Sequence, residues 1–431
     1  MRVAVLSRAV FPLHGHGGLE RHTGDLVRHL AARGVAVTLL TREPVRGAPS
    51  FDVAGVTLLT IPYRSFPLAG RRGTTVLDRS TAYLWFGRRL GRLAADLARQ
   101  DRIDIVYGLG AAALGYATAL LKGEGAERGV GAPRATELGG VGSPPFKLVP
   151  LVFNPQGLEE FGGADLRFGG SPLKRIGYLP LRHAVRACAR AADCVIATDR
   201  SLEAVVERHL GVPSSRTRTI PNAIDVAACD RRAGARDAAG LKRDLGTRTG
   251  ERVLLSVGRL ERNKGLHVLI DALKAARDLG WRWVVVGDGP HGPRLRAVTR
   301  AAGLGDRITF VGRVDDERLH EWYEAADLFV HPTLYEGSSL VTLEAMAHRL
   351  PVIASDAGGL PDKVRPGVNG WLVPPGDPAP LADAIRHALS PQQDLASMGR
   401  AGRAIVEREF TWDVVIPRMM GVFSALRHKR C

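Results

Sequence analysis

Apolar residues along the chain form short runs that alternate with stretches of helical spacing. Val3 to Ser7 is a compact apolar run, and Arg21 to Arg33 carries its leucines and valine on one helical face. Gly34 to Thr41 then predicts the end of that helix and a second strand. Alternation of strand and helix from the first residues onward is typical of α/β proteins with parallel sheets.

The same alternation starts again in the second half of the chain. Residues 227–251 are rich in Ala, Gly, Arg and Asp without a clear apolar period, and they predict an interdomain connection with one short helix. Arg252 to Gly258 is the next predicted strand, and Leu266 to Ala276 is the next helix. The pattern therefore predicts two similar α/β halves rather than a tandem repeat.

Composition adds a bias toward anionic partners. The chain has 431 residues, 45% of them hydrophobic, and a formal net charge of +16, which is enough apolar content for a core in each half. A nucleotide diphosphate, an acidic membrane surface and nucleic acid all fit such a charge. Charge alone does not choose among these three partners.

Two further features favour a cytoplasmic protein. The four cysteines form no C-x-x-C pair, which suggests neither zinc nor a disulfide framework. No apolar run approaches the roughly 18 residues that span a bilayer, the longest being Ala111 to Leu121. The sequence predicts a cytoplasmic location, with at most peripheral attachment to the inner face of the membrane.

A basic and aromatic segment, residues 64–99, departs from plain alternation. From Thr81 to Arg99 the apolar residues fall at helical spacing with arginines beside them. Such a helix can lie on anionic lipid, or it can be a domain helix with a solvated basic face, and both interpretations stay open. The residues that raise the question are Arg64, Arg71, Arg72, Arg79, Arg88, Arg89 and Arg92, interleaved with Phe66, Tyr83, Trp85 and Phe86.

The stretch from Glu336 to Glu344 is the strongest candidate for chemistry. A short apolar strand precedes it, and a helix is predicted to begin near Ser338 or Ser339. The free amides of Gly337 to Leu340, with the helix dipole behind them, would form an anion site. In isolation, the two carboxylates are a turn residue and an ordinary helix residue.

Cations and glycines follow other predicted strands. Arg259 and Lys264 flank a loop at the carboxyl end of a strand, where doubly wound sheets bind ligands. Two cations on one diphosphate would neutralise the charge that develops on a leaving nucleotide. Gly17 and Gly18 follow the first strand, where the backbone can approach a phosphate or a sugar closely.

These motifs together resemble the retaining nucleotide-sugar glycosyltransferases of family 4. The resemblance rests on Glu336-x(7)-Glu344, on Gly-Arg259-Leu-x-x-x-Lys264-Gly and on Gly17-Gly18-Leu-Glu-Arg-His. It implies the GT-B fold, two Rossmann-like doubly wound domains facing across a cleft. The expected domains are an acceptor-binding domain at 1–225 and a nucleotide-sugar-binding domain at 226–409, with a C-terminal helix at 410–431 that crosses back onto the first.

The resemblance also implies the reaction and its residues. A hexosyl group would move from a nucleotide-diphosphate sugar to an acceptor with retention of configuration, and no cofactor or metal is expected. The catalytic residues would be Glu336, which holds the sugar hydroxyls, with Arg259 and Lys264 on the diphosphate, while Glu344 binds the ribose. The donor-binding set would be Gly17, Gly18, Asp288, Arg313, Val314, Gly337, Ser338, Ser339, Leu340 and Glu344.

Tyr107, Gln156 and Glu159 are the expected acceptor-side residues. Many family members carry histidine where Tyr107 stands, and Gln156 replaces the histidine at the end of another family strand. An amide can donate and accept hydrogen bonds but cannot titrate, so Gln156 can orient a hydroxyl without acting as a general base. The leaving phosphate itself would then take the proton of the acceptor.

The expected partners are a nucleotide sugar and a glycan or lipid-linked acceptor of the cell envelope, with a possible anionic membrane surface at residues 64–99. One alternative is an isomerase or phosphorylase on the same fold, such as a nucleotide-sugar epimerase. A nucleic-acid binder is remote, because its cations would gather with stacking aromatics, whereas these arginines are dispersed. The nucleotide, the sugar, the acceptor and the oligomeric state stay open.

Overall fold

The chain folds into two compact units. A computed structural model describes residues 1–15, 17–66, 74–128, 148–156, 158, 161, 176–233 and 238–428. Unit 1 comprises Met1–Thr198, Leu202–Ile220 and Ile416–Cys431, and unit 2 comprises Asp199–Ser201 and Pro221–Val415. The chain therefore enters unit 2 briefly at Asp199–Ser201, passes into it again at Pro221 and returns to unit 1 at Ile416.

Unit 1 is built on a parallel sheet of seven strands in the order β3-β2-β1-β4-β5-β6-β7. The first strand pairs with β2 on one side and with β4 on the other, so the strand order reverses between β1 and β4. The strands are β1 Arg2–Leu6, β2 Ala36–Arg42, β3 Val56–Ile61, β4 Ile105–Leu109, β5 Leu151–Asn154, β6 Cys194–Ala197 and β7 Thr217–Thr219.

Helices cover this sheet and close its core. They are α1 Gly18–Ala31, α2 Thr74–Ser80, α3 Ala82–Arg99, α4 Leu114–Arg128, α5 Leu179–Ala191 and α6 Arg200–Val205. Strand β3 was not among the predicted strands, and none of its residues is fully buried, because it lies at the sheet edge. The local apolar pattern is therefore weakest there.

Unit 2 repeats the plan with a parallel sheet of six strands in the order β10-β9-β8-β11-β12-β13. Its strand order reverses between β8 and β11, which pair directly. The strands are β8 Arg252–Val257, β9 Trp281–Val286, β10 Ile308–Gly312, β11 Leu328–His331, β12 Val352–Ser355 and β13 Gly370–Val373. The predicted alternation of strands and helices in two halves is confirmed.

The helices of unit 2 include two in the stretch that was predicted to be a connection. They are α7 Val226–Ala233, α8 Ala238–Asp244, α9 Leu266–Ala275, α10 Gly292–Ala301, α11 Asp316–Ala325, α12 Leu340–Ala347, α13 Pro378–Ala388, α14 Leu395–Glu409 and α15 Trp412–His428. The connection prediction is corrected, because Cys229 on α7 and Leu241 on α8 are buried in the core of unit 2. A helix of seven or eight residues shows too little periodicity to be recognised alone.

The last helix, α15, begins in unit 2 and ends in unit 1. Trp412 and Val415 belong to unit 2, while Phe423 is completely buried in unit 1. Within the described ranges, no helix combines the length and the apolar character that crossing a bilayer requires.

Candidate functional site

The candidate site lies in unit 2, where the strand order reverses. In open α/β sheets, ligands bind beyond the carboxyl ends of strands at such a reversal. The loop after β8 carries Arg259 and Lys264, and the loop after the neighbouring β11 carries Glu336. Tertiary structure thus brings the predicted cations and the first predicted carboxylate to one edge of the sheet.

Glu336 is the centre of this group. Its Oε2 accepts hydrogen bonds from Lys264 Nζ and from His331 Nε2, each at 2.7 Å. The side chain of Glu336 is 13% exposed, that of Lys264 23% and that of His331 5%. The contact between Lys264 and Glu336 was not predicted, since the two residues had been given separate roles.

These contacts decide the charge of the group. Burial would raise the pKa of Glu336, but the Lys264 ammonium and the His331 hydrogen bond outweigh burial and hold that pKa far below its ordinary value. Burial lowers the pKa of His331, although its bond to Glu336 opposes the shift. Glu336 is therefore a carboxylate, and neutral His331 donates its Nε2 proton to it.

Backbone contacts hold the two loops against each other. The amide of Leu334 donates to the carbonyl oxygen of Asn263 at 2.7 Å. The hydroxyl of Thr333 lies 3.0 Å from the same oxygen and 2.7 Å from the carbonyl oxygen of Tyr335. Gly265 has a φ of +66°, and a Cβ at that position would overlap the carbonyl oxygen of Pro332. The cation loop and the carboxylate loop are therefore fixed as one body.

Helix α12 begins immediately after this carboxylate. Ser339 is its N-cap, and its hydroxyl accepts from the amide of Thr342 at 3.4 Å. Ser339 is buried, whereas Gly337, Ser338 and Leu340 are half-buried. The predicted capping serine is confirmed, and the first turn presents backbone amides beside Glu336.

Glu344 is held by a residue that sequence analysis did not single out. Its Oε2 accepts from the hydroxyl of Tyr323 at 3.0 Å. Tyr323 lies on α11, is completely buried and stacks on the imidazole of His348. The half-buried Glu344 carboxylate thus has a fixed orientation. Its Oε2 contacts Tyr323, and its Oε1 does not take part in this contact.

Arg259 and Asp288 occupy adjoining loops. The side chain of Arg259 is 76% exposed and lies 2.9 Å from a carboxylate oxygen of Glu261. The carbonyl of Asp288 accepts from the amide of Leu260 at 3.0 Å, while its exposed carboxylate accepts from the amide of Gly289. Arg259 therefore lines the same pocket as Lys264 and His331, and most of its side chain is exposed to solvent.

Arg313 and Val314 follow β10, the edge strand of the same sheet. Arg313 is exposed, and Val314 packs partly buried against the core of unit 2. The amide of Gly287 donates to the carbonyl of Gly312 at 2.7 Å, which joins this loop to the end of β9. Both predicted residues therefore lie at the same edge of unit 2 as Asp288.

In unit 1, Gly17 and Gly18 lie at the start of α1, where the loop after β1 ends. Gly17 is the N-cap residue, and a Cβ there would overlap the carboxylate of Glu20, which folds back on the first turn. A negative side chain is favourable at a helix N-terminus. The positive end of α1 is therefore occupied by its own carboxylate in this structure.

The acceptor-side residues follow β4 and β5 of unit 1. Tyr107 is completely buried inside β4; its hydroxyl accepts from Asn154 Nδ2 at 3.0 Å and its ring packs on Phe423. Tyr107 therefore supports the strand end from within, and its expected contact with the acceptor stays a prediction. Burial raises the pKa of its hydroxyl far above the ordinary range. Glu159 lies outside the described residues.

Gln156 lies at the end of β5 in the left-handed backbone region. Its φ is +64°, and both its amide and its side chain donate to Asn154 Oδ1, at 2.9 and 3.2 Å. Such a conformation is unusual for a residue other than glycine and is often found at functional sites. The hydrogen bonds to Asn154 hold the Gln156 amide in place.

Among the residues that the structure describes, one buried cluster has ligand atoms close enough to hold a metal: Cys229, His320 and His348, whose atoms lie within 4.8 Å of one another. The two imidazoles, however, hydrogen-bond each other at 2.7 Å, His348 Nδ1 lies 2.5 Å from Glu324, and Arg232 lies 3.3 Å from His320 Nε2. All four ring nitrogens thus have partners, and the cluster is satisfied as a chain of hydrogen bonds.

Three residues that sequence analysis missed form hydrogen bonds to the predicted site residues: His331, Tyr323 and Lys363. His331 ends an apolar strand, Tyr323 lies on the buried face of α11, and Lys363 lies between the buried Leu360 and Val364. In each case the local pattern resembles ordinary core. The one sequence feature that could have revealed them is a polar residue at a position where the neighbouring apolar residues predict burial.

Comparison with known proteins identifies the family. The family model described as "Glycosyl transferase 4-like domain" matches residues 17–223, and the one described as "Glycosyl transferases group 1" matches residues 238–405. A D-inositol 3-phosphate glycosyltransferase of Acidothermus cellulolyticus is 30% identical over 458 residues, covering 100% of this chain and 91% of the relative.

Solved structures share the fold along the whole chain. A sucrose-phosphate synthase of Thermosynechococcus elongatus matches with a TM-score of 0.73 and 23% identity, covering 99% of this chain and 98% of that one. The Anabaena protein HepE, in complex with UDP-glucose, matches with a TM-score of 0.67 and 21% identity, covering 99% and 100%.

The chain therefore belongs to the family-4-type glycosyltransferases, and its two α/β units have the GT-B fold. The predicted family, fold class and enzyme class, a nucleotide-sugar glycosyltransferase, are confirmed. The roles of individual residues stay predictions.

The close approach of Gly265 to Pro332 predicts a difference between two glycine substitutions in unit 2. Gly265 and Gly367 both have positive φ, but only Gly265 has backbone against the missing Cβ. We expect Gly367→Ala to lower the free energy of unfolding by roughly 1–2 kcal/mol, from backbone strain alone. Gly265→Ala should lower it by clearly more, as measured by urea titration. Equal losses would show that the contact between the loops contributes nothing.

Proposed function

We propose that the protein is a retaining, metal-independent hexosyltransferase that uses a nucleoside-diphosphate sugar. The observation that carries this proposal is the group formed by Glu336, Lys264 and His331 at the sheet reversal of unit 2, beside the first turn of α12. A cation, helix amides and an ionised carboxylate side by side suit a diphosphate joined to a polyhydroxylated sugar.

The diphosphate is proposed to bind Arg259, Lys264 and the amides that follow Glu336. An ammonium has three donors, and Lys264 uses one on Glu336, so two remain for phosphate oxygens. The exposed Arg259 would leave Glu261 for the ligand. Together these groups would stabilise the negative charge that develops as the nucleotide leaves.

The two carboxylates are proposed to bind the two sugars of the donor. Glu344, which Tyr323 holds through Oε2, would accept from the ribose hydroxyls with its other oxygen. Glu336, kept ionised by Lys264, would accept from hydroxyls of the transferred hexose. Asp288, Arg313 and Val314 would border the nucleotide at the ends of β9 and β10.

In the proposed reaction, the bond from the anomeric carbon to the phosphate oxygen breaks, and a bond to the acceptor oxygen forms on the same face. The leaving diphosphate takes the proton of the acceptor hydroxyl. Gln156 would orient that hydroxyl, because an amide can hydrogen-bond but cannot remove a proton. No step needs a metal ion, since the charge of the leaving group is met by Arg259, Lys264 and the helix amides.

The acceptor is proposed to be a lipid-linked or cell-envelope glycan precursor, reached at the inner face of the membrane. Support comes from α3, whose exposed side chains form one stripe at helical spacing: Trp85, Arg88, Arg89, Arg92, Asp96 and Arg99. The last two pair with each other, so the net charge of the stripe comes from Arg88, Arg89 and Arg92. Trp85 is 67% exposed. Tyr83 and Phe86, which had also suggested lipid contact, pack inward.

Further exposed apolar residues lie on α2, which packs on α3, and on the segment around the start of α5. Leu77 on α2 is 43% exposed, Ile176 is 62% exposed and Leu179 on α5 is 44% exposed. Gly177 lies against the side chain of Val76, which brings the last two next to α2, and α2 packs on α3. Exposed apolar groups beside cations are what an anionic lipid surface binds. Arg71 and Arg72 lie outside the described residues.

Loss of the Glu344 carboxylate should weaken nucleotide binding. UDP, the nucleotide part of the UDP-glucose bound to HepE, is tested with GDP and ADP by thermal shift. For whichever nucleotide binds, Glu344→Ala should lose about 1.5 to 3 kcal/mol of binding free energy, as expected for hydrogen bonds to a charged group. Asp383→Asn, at an exposed carboxylate on α13, serves as control. Unchanged affinity in Glu344→Ala would remove the ribose role.

The reaction class can be tested on the products. With acceptor present, proton NMR should show a product with the anomeric configuration of the donor, and the rate should be unchanged in excess EDTA. An inverted product or an absolute need for magnesium or manganese would overturn the mechanism. A changed sugar in the absence of acceptor would instead indicate an epimerase.

The membrane proposal predicts binding to vesicles that rises with anionic lipid content and falls with salt. Replacing Arg88, Arg89 and Arg92 by Ser should weaken binding on the order of a hundredfold, at about 1 kcal/mol per cation. The charge-matched control replaces the exposed Arg294, Arg300 and Arg400 of unit 2 by Ser. If the wild-type protein ignores anionic vesicles at low salt, a soluble acceptor is favoured, as the name of the Acidothermus relative suggests for that enzyme.

A further inference from the structure

Lys363 is a completely buried cation directly behind the first turn of α12. Its Nζ donates to the carbonyl oxygen of Gly359 at 3.0 Å and to the hydroxyl oxygen of Ser338 at 3.3 Å. Ser338 belongs to the amide loop of the proposed donor site, yet Lys363 lies 25 residues further along the chain. A buried lysine is rare and needs compensation for its charge.

That compensation is present within unit 2. Burial lowers the pKa of Lys363, but the carboxylates of Asp199, Asp362 and Glu336 all favour its charged form. The ring of Phe410 lies 5.8 Å from the ammonium and adds a weaker attraction. Lys363 therefore shares Glu336 as a charge neighbour with Lys264.

The segment that carries Lys363 is fixed rigidly against the Ser338 loop. The amide of Gly359 donates to the carbonyl of Gly337 at 3.3 Å, and a Cβ at Gly358 would overlap the carbonyl of Glu336. The carbonyl of Lys363 itself accepts from the buried Asn369 at 3.1 Å. These contacts hold the Lys363 segment against the Ser338 loop.

The hydrogen bond between Lys363 and Ser338 has a defined donor and acceptor. An ammonium can only donate, so Ser338 Oγ must be the acceptor in its bond with Lys363. The hydroxyl proton of Ser338 is thereby left for another acceptor. The carbonyl oxygen of Ser338 accepts a hydrogen bond from Asn222 Nδ2 at 3.2 Å, and the residue is half-buried.

We propose that Lys363 is a positioning residue of the donor site: it holds the Ser338 oxygen from behind, so that the Ser338 hydroxyl donates to the diphosphate of the donor. The proposal rests on the proposed function of unit 2. Lys363 touches neither sugar nor phosphate, and its effect passes through Ser338. The phosphate that would accept this hydrogen bond is the one next to the sugar, which a nucleoside monophosphate lacks.

The test compares diphosphate with monophosphate binding by calorimetry. The probes are UDP, GDP and ADP with their monophosphates, and the variants are Lys363→Met, Ser338→Ala and the double variant. Each single change should weaken diphosphate binding about tenfold or more, and the monophosphate by clearly less. The double variant should be no weaker than the weaker single variant, because both changes remove one hydroxyl contact.

Lys274→Met, which removes an exposed cation from α9, is the control and should bind like the wild type. Additive losses in the double variant, unchanged diphosphate affinity, or equal losses for both ligands would overturn the proposal. If Lys363→Met does not fold, Ser338→Ala decides alone, by showing or lacking the diphosphate-selective loss. A wild-type protein that binds none of the three diphosphates would refute the proposed donor site itself.

Discussion

The need to compensate a buried carboxylate organises the candidate site. Glu336 is ionised in a largely buried position, where an unpaired charge would be strongly destabilising. Its partners, Lys264 and His331, come from the ends of two neighbouring strands, β8 and β11. Because both partners must reach the same oxygen, the loops after these strands converge, and the edge of the sheet becomes a charged, hydrogen-bonded surface.

The residues behind this charged surface are also arranged around buried charge and close backbone packing. Gly265 and Gly358 allow close approach of the backbone where a side chain would collide. Lys363 lies behind Ser338 and adds a cation to Arg259 and Lys264. A set of donors fixed before the ligand arrives stabilises developing charge without reorganisation. Under the proposed function, the supporting residues would therefore affect donor binding as the residues that touch the donor do.

Unit 1 contrasts with unit 2 in its chemistry. Gln156 is held in a left-handed conformation by Asn154, which also donates to the buried hydroxyl of Tyr107. These three residues form a hydrogen-bonded chain in which no group titrates near neutral pH. The proposed proton transfer to the leaving phosphate is compatible with these three residues, which offer orientation rather than a base.

The sequence by itself determined the two α/β halves, the strands that carry the site loops, and the motif of Arg259, Lys264, Glu336 and Glu344. Apolar periodicity and local spacing report these features, because both act within a few residues. Only tertiary structure decided that Lys264 pairs with Glu336 across 72 residues, that Tyr107 lies inside the sheet and that Lys363 supports Ser338. Which residue compensates a buried charge depends on strand order and loop packing, and neither leaves a local pattern in the chain.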